Sequence, residues 1–146
     1  MAINKIKTSI IGIVGLIGSV AAHFLGGWNM ALQTLIIFMG IDYLTGLLVA
    51  GVFHKSEKSD TGALESRAGW KGLCRKGMTL LIVLVATQLD KVAGTDVIRN
   101  AVIIAYVVNE TISIIENAGL MGLPIPSIIR KALDLLSKQA EESEFE

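Results

Sequence analysis

Four carboxylates and two amides, Asp42, Asp90, Glu110, Glu116, Asn109 and Asn117, stand inside or at the ends of long apolar runs in this 146-residue chain. Paired carboxylates can do general acid–base work, but Glu110 and Glu116 lie six residues apart with no histidine, nucleophile or metal partner nearby, so no enzyme is expected. His23 and His54 have no metal-ligand spacing, and the lone Cys74 cannot close an intramolecular disulfide. No metal, no cofactor and no catalytic residue is expected. Polar groups carried into hydrocarbon are hidden against protein or water, which points to assembly, transport or pore formation.

The spacing of these groups is informative. Asn109, Ser113, Glu116 and Asn117 recur at three- and four-residue intervals and form a polar stripe bordered by Glu110, while Ile104, Val107, Val108, Ile112 and Ile115 cover much of the remaining circumference. Such a helix could hide its stripe by pairing, or line water after oligomerisation. Asp42 sits in GIDYLTG, where Thr45 and Gly46 share its face. That face reads either as a pore or assembly contact or as a structural hydrogen bond to a neighbouring helix.

The elements that must position these residues are apolar helices. Hydrophobic residues make up 52% of the chain and charged residues only 18%, too few for an ordinary soluble domain. The composition therefore predicts an all-α integral membrane protein, and four spans can be drawn, at about 6–25, 30–53, 75–93 and 97–120. These make a membrane domain over 1–123, followed by a cytoplasmic segment over 124–146. The N-terminus mimics a secretory leader, with Lys5 and Lys7 before an apolar run, but the equally apolar run that follows favours a first span. The fourth span inserts poorly by itself. Its eleven Ile, Val and Leu residues contribute roughly −3 to −7 kcal/mol, against roughly +5 to +7 kcal/mol for two acidic residues. Insertion then requires Glu116 near the interface and Glu110 protonated or paired.

The loop at 54–74 and the two residues after it carry Lys55, Lys58, Arg67, Lys71, Arg75 and Lys76, so the positive-inside bias places this loop in the cytoplasm and, with four spans, both termini as well. Arg67, Lys71 and Arg75 fall at i, i+4 and i+8 with Trp70 on another side, as suits a short helix at anionic headgroups with Lys76 beside it. Nucleic acid is a poor partner for these cations, because no stacking aromatics interleave them. Gly15, Ser19, Ala22 and Gly26 give the first span a small-residue face for helix packing. Beyond Pro124 and Pro126, a turn, Ile128, Ile129, Ala132, Leu133 and Leu136 recur with helical period and predict an amphipathic helix ending in an acidic tail.

Four blocks occur in order, GGWNMAL at 26–32, FMGIDYLTGLLVA at 38–50, GWKGLCRKGMTLLIVLVATQLD at 69–90 and RNAVIIAYVVNETISIIENAGLMGLPIP at 99–126. Together they resemble the toxin secretion/phage lysis holins, the group that includes the clostridial toxin-secretion holin. The resemblance implies a non-enzymatic lysis protein that oligomerises in the host cytoplasmic membrane and opens lesions through which an endolysin or toxin leaves. Some members of that group are drawn with three spans. The positions that match its motifs are Asp42, Gly46, Asp90, Asn109, Glu110, Ser113, Glu116, Asn117, Pro124 and Pro126, which become candidate pore or assembly and turn residues. One trigger suggested by burial is a protonated Glu110 that ionises when it meets water. Two other classes fit parts of the pattern: a small oligomeric transporter using Asp42 and Glu110, and a membrane anchor acting through its C-terminal helix.

Overall fold

The computed structural model describes residues 2–143; the end of the acidic tail, 144–146, lies outside the described residues. Helix α1 runs Ala2–Phe24 and α2 runs Met30–Leu48, prolonged by a π-helical turn over Val49–Phe53. Helices α3, α4 and α5 follow over Ser66–Ala93, Val97–Leu120 and Ser127–Ser143. The protein is all-α, and four of its helices, α1 to α4 with the π-turn counted into α2, are long and apolar enough to cross a membrane.

Local chemistry sets the helix ends. Asn29 caps α2, its side chain accepting the Leu32 N–H at 3.0 Å. Helix α3 stops at Gly94, whose left-handed backbone (φ 70°) turns its N–H back to the Asp90 carbonyl. Gly122 (φ 84°) turns the chain after α4, and the two prolines behind it keep it non-helical until Ser127.

One element differs from the sequence expectation. The basic segment is not a separate helix at the headgroups; it forms the first turns of a single 28-residue α3. Its glycines lower helix propensity but no proline interrupts it. Gly69 and Gly72 instead set bare backbone beside the Tyr43 ring of α2.

Helix α4 is the hub, packing on both α2 and α3, whereas α2 and α3 touch one another little. The core is a layer of Leu32, Leu35 and Met39 from α2, Val83 from α3 and Ile103 from α4. These side chains lie in the half of the bundle nearer the α1–α2 and α3–α4 turns. The opposite half, toward the 54–65 loop, holds Asp42, Lys76 and Glu110.

Candidate functional site

Lys76 stands eleven residues into α3, three turns below the helix start, and reaches across the gap toward α2 and α4. Its Nζ lies 2.8 Å from Asp42 Oδ2 and 2.5 Å from Glu110 Oε2. All three side chains are nearly enclosed, at 13%, 9% and 7% exposure. Asn117 completes the group from α4, its amide donating to Asp42 Oδ1 at 3.1 Å, to the Asp42 carbonyl at 3.3 Å and to Thr45 Oγ1 at 2.9 Å. Gly46 lies beside this contact, where a Cβ would sit 3.9 Å from the Asn117 amide nitrogen, an ordinary van der Waals distance. One ammonium thus faces two carboxylates within an apolar bundle, and the pairs cross-link three helices.

This geometry revises one expectation and decides another. Lys76 is not a headgroup residue, because the helix that carries it begins well before it and delivers its amine to the interior. Glu110 enters the bundle paired with Lys76, the second of the two ways in which the sequence lets this helix insert. The polar stripe of α4 is divided as well. Glu110 and Asn117, seven residues apart, are buried on the face toward α2 and α3, while Asn109 and Glu116, one position earlier in each case, are exposed and Ser113 is half-buried between them.

A second polar group closes the opposite end. Asp90 was expected at a pore or assembly contact. Its carboxylate instead accepts Thr95 Oγ1 at 2.6 Å, the Ile98 N–H at 3.0 Å and the Arg99 N–H at 2.8 Å. It caps α4 from the end of the preceding helix, satisfying N–H groups that a helix start leaves without partners. Arg99 is buried and donates from Nε to the Leu25 carbonyl at 2.5 Å and from Nη2 to the Gly27 carbonyl at 3.1 Å. No local signal in the sequence pairs residues more than seventy positions apart.

Gly26 and Gly27 make that turn with φ of 88° and 93°. A Cβ on Gly26 would lie 2.6 Å from Arg99 Nε, whereas one on Gly27 meets nothing within 4 Å. Gly26→Ala should therefore cost about 2–4 kcal/mol, backbone strain plus displacement of the arginine, and Gly27→Ala only the strain of about 1–2 kcal/mol. Thermal unfolding in detergent, read by tryptophan fluorescence, checks the order.

The other candidate residues fall outside these two groups. Arg67, Trp70, Lys71 and Arg75 are exposed at the start of α3. On α1, Ser19 is exposed and nothing lies within 4 Å of a Cβ built on Gly15, so within one chain the small-residue face meets no helix; Ala22 is half-buried near the turn. Pro124 and Pro126 lie in the turn between α4 and α5.

Similar proteins place the chain. A protein of Halalkalibacterium halodurans is 40% identical over 123 residues, covering 80% of this chain and 85% of that one. A 14.9 kDa protein encoded in the nagH 3′ region of Clostridium perfringens is 36% identical over 139 residues, covering 94% and 96%. The probable holin of Bacillus phage phi105 is 29% identical over 124 residues, covering 84% and 86%. No solved structure matches the chain. The sequence profile of the bacteriophage holin family matches residues 19–138, taking in α2, α3, α4 and both polar groups, and the chain is a membrane protein that belongs to that family.

Proposed function

We propose that the protein is a holin of the host cytoplasmic membrane, which accumulates there, associates laterally with copies of itself and opens lesions that release an endolysin or toxin. The 54–65 loop and both termini face the cytoplasm, and Arg67, Trp70, Lys71 and Arg75 rest at anionic headgroups. No catalytic step is involved.

The observation that most supports this reading is the ionic group at membrane depth. Two carboxylates, an ammonium and an amide are kept inside a bundle of apolar helices, where they satisfy one another. A helix such as α4 can then reside in the membrane with its charges turned away from lipid, and line a wider aqueous lesion with the same charges once the bundle rearranges. The small-residue face of α1 and the exposed Glu116 supply contacts for neighbouring copies.

The test is induction of the chain with and without an endolysin that lacks its own export signal, following membrane potential and turbidity. Lysis that needs both proteins is expected. Ion flux without release of the enzyme would favour a small transporter instead, and loss of all activity on truncation after Pro126 would favour an anchor acting through α5.

A further inference from the structure

Because α2 and α3 diverge over α4, they leave a cavity of about 480 Å³ between them. Ser56, Lys58 and Glu65 line it at the 54–65 loop, and the Asp42, Lys76 and Glu110 group forms part of its wall. Its farthest lining residues, Ile82 and Tyr106, border the apolar layer of Leu35, Met39, Val83 and Ile103.

The lining decides what fills this space. Tyr43 brings a phenol, Asn109 an amide and Ser113 a hydroxyl to the wall, beside the ionic group. Among the described residues, no fully buried side-chain nitrogen or oxygen lacks a partner, so polar atoms at this wall that make no protein hydrogen bond keep accessible surface. Against acyl chains each such group would cost several kcal/mol, because hydrocarbon offers no hydrogen bond. Water needs two to four polar partners and about 30 Å³ per molecule, and this cavity meets both requirements several times over. The apolar layer beyond it meets neither.

We infer that the cleft between α2 and α3 is a water-filled inlet, open at the 54–65 loop, which brings solvent and protons to the Asp42, Lys76 and Glu110 group and ends at the layer formed by Leu35, Met39, Val83 and Ile103. A single protomer thus hydrates one half of its membrane thickness before any assembly. The ionic group is reached by water from the compartment on the loop side and is insulated from the other. Water, hydronium and small hydrated ions fit the space. The inference concerns one protomer and stands apart from the lysis reading.

Thiol labelling of the full chain in sealed vesicles of both orientations tests it. Cys74 is exposed and free, so the background is Cys74→Ala. Asn109→Cys and Ser113→Cys probe the inlet, Lys58→Cys marks the loop side and Ile103→Cys the apolar layer. A membrane-impermeant, cationic methanethiosulfonate should label positions 109 and 113 only from the side that labels position 58, about tenfold or more faster than position 103, because such a reagent reaches a thiolate only through water. Rates at 109 and 113 no faster than at 103, as acyl chains or a neighbouring protomer's helix in the cleft would give, overturn the inference, as does equal labelling from both sides. Ser113→Cys is nearly isosteric and carries the test if the Asn109 variant does not fold. The assay needs neither endolysin nor lysis, so a failed lysis experiment leaves its result intact.

Discussion

Lys76→Met should bring lysis forward and lower the thermal stability of the isolated protein, the larger of the two main effects expected. Removing the amine leaves Asp42 and Glu110 facing each other with only the Asn117 amide between α4 and Asp42. Breaking a largely buried pair from one side costs up to about 3–5 kcal/mol, because the two carboxylates lose their counter-ion and repel each other where water reaches them only from the cleft. The least costly escape is for α2 and α4 to separate until the carboxylates are apart and fully hydrated, which is the rearrangement proposed for the lesion. Asp42→Asn or Glu110→Gln removes the excess carboxylate and leaves one ammonium against one anion, so each should be far milder. The triple variant Asp42→Asn, Lys76→Met, Glu110→Gln, with no charge left in the group, should return lysis timing toward that of the parent. Turbidity traces at equal membrane abundance, paired with melting curves in detergent, check the series. Parental timing and an unchanged melt for Lys76→Met would refute the role given to this residue.

Asp90→Ala should lower stability by about 3 kcal/mol without altering the ionic group at the other end. The carboxylate is the acceptor for two backbone N–H groups and one hydroxyl at the start of α4, and hydrogen bonds to a charged partner are worth about 1.5–3 kcal/mol each before relaxation. Arg99 is next to these donors and would keep its charge in a buried site with less compensation. Asp90→Asn retains one acceptor oxygen but turns an NH₂ toward the helix start, and should recover less than half of the loss. Hydrogen exchange of the first turn of α4 distinguishes this local cause from general unfolding, since only the amides near Ile98 and Arg99 should lose protection in the mildest variant.

The helices were legible in the sequence because their apolar runs are long, and the extents of α2 and α4 agree closely with those runs. The pairing demand on Glu110 was legible too, because insertion arithmetic left its charge unbalanced. Its partner was not. Lys76 follows Arg75 in a basic run and reads as surface charge until the full length of α3 places it three turns inside. Asp90 misled for a related reason: helix caps are recognised two or three residues from the helix start, and this one acts across eight and nine. Arg99 binds carbonyls more than seventy positions away, a relation set wholly by how α4 docks against the α1–α2 turn. The stripe on α4 is polar in the sequence, but only the packing of α2 and α3 decides that Glu110 and Asn117 are buried, that Asn109 borders the cleft and that Glu116 is exposed.

Among the described residues, helix α1 packs extensively on no other helix of its own chain, and the family profile begins at residue 19. Its junction is held by one arginine gripping two carbonyls across a pair of left-handed glycines and by Leu25, which packs against the core layer. Mechanically this is an arm on a pinned joint: the arm can swing, exchange between neighbouring molecules or differ in length while the three-helix body, with its ion pairs and its capped turn, stays as it is. A count of spans therefore describes the arm more than the body.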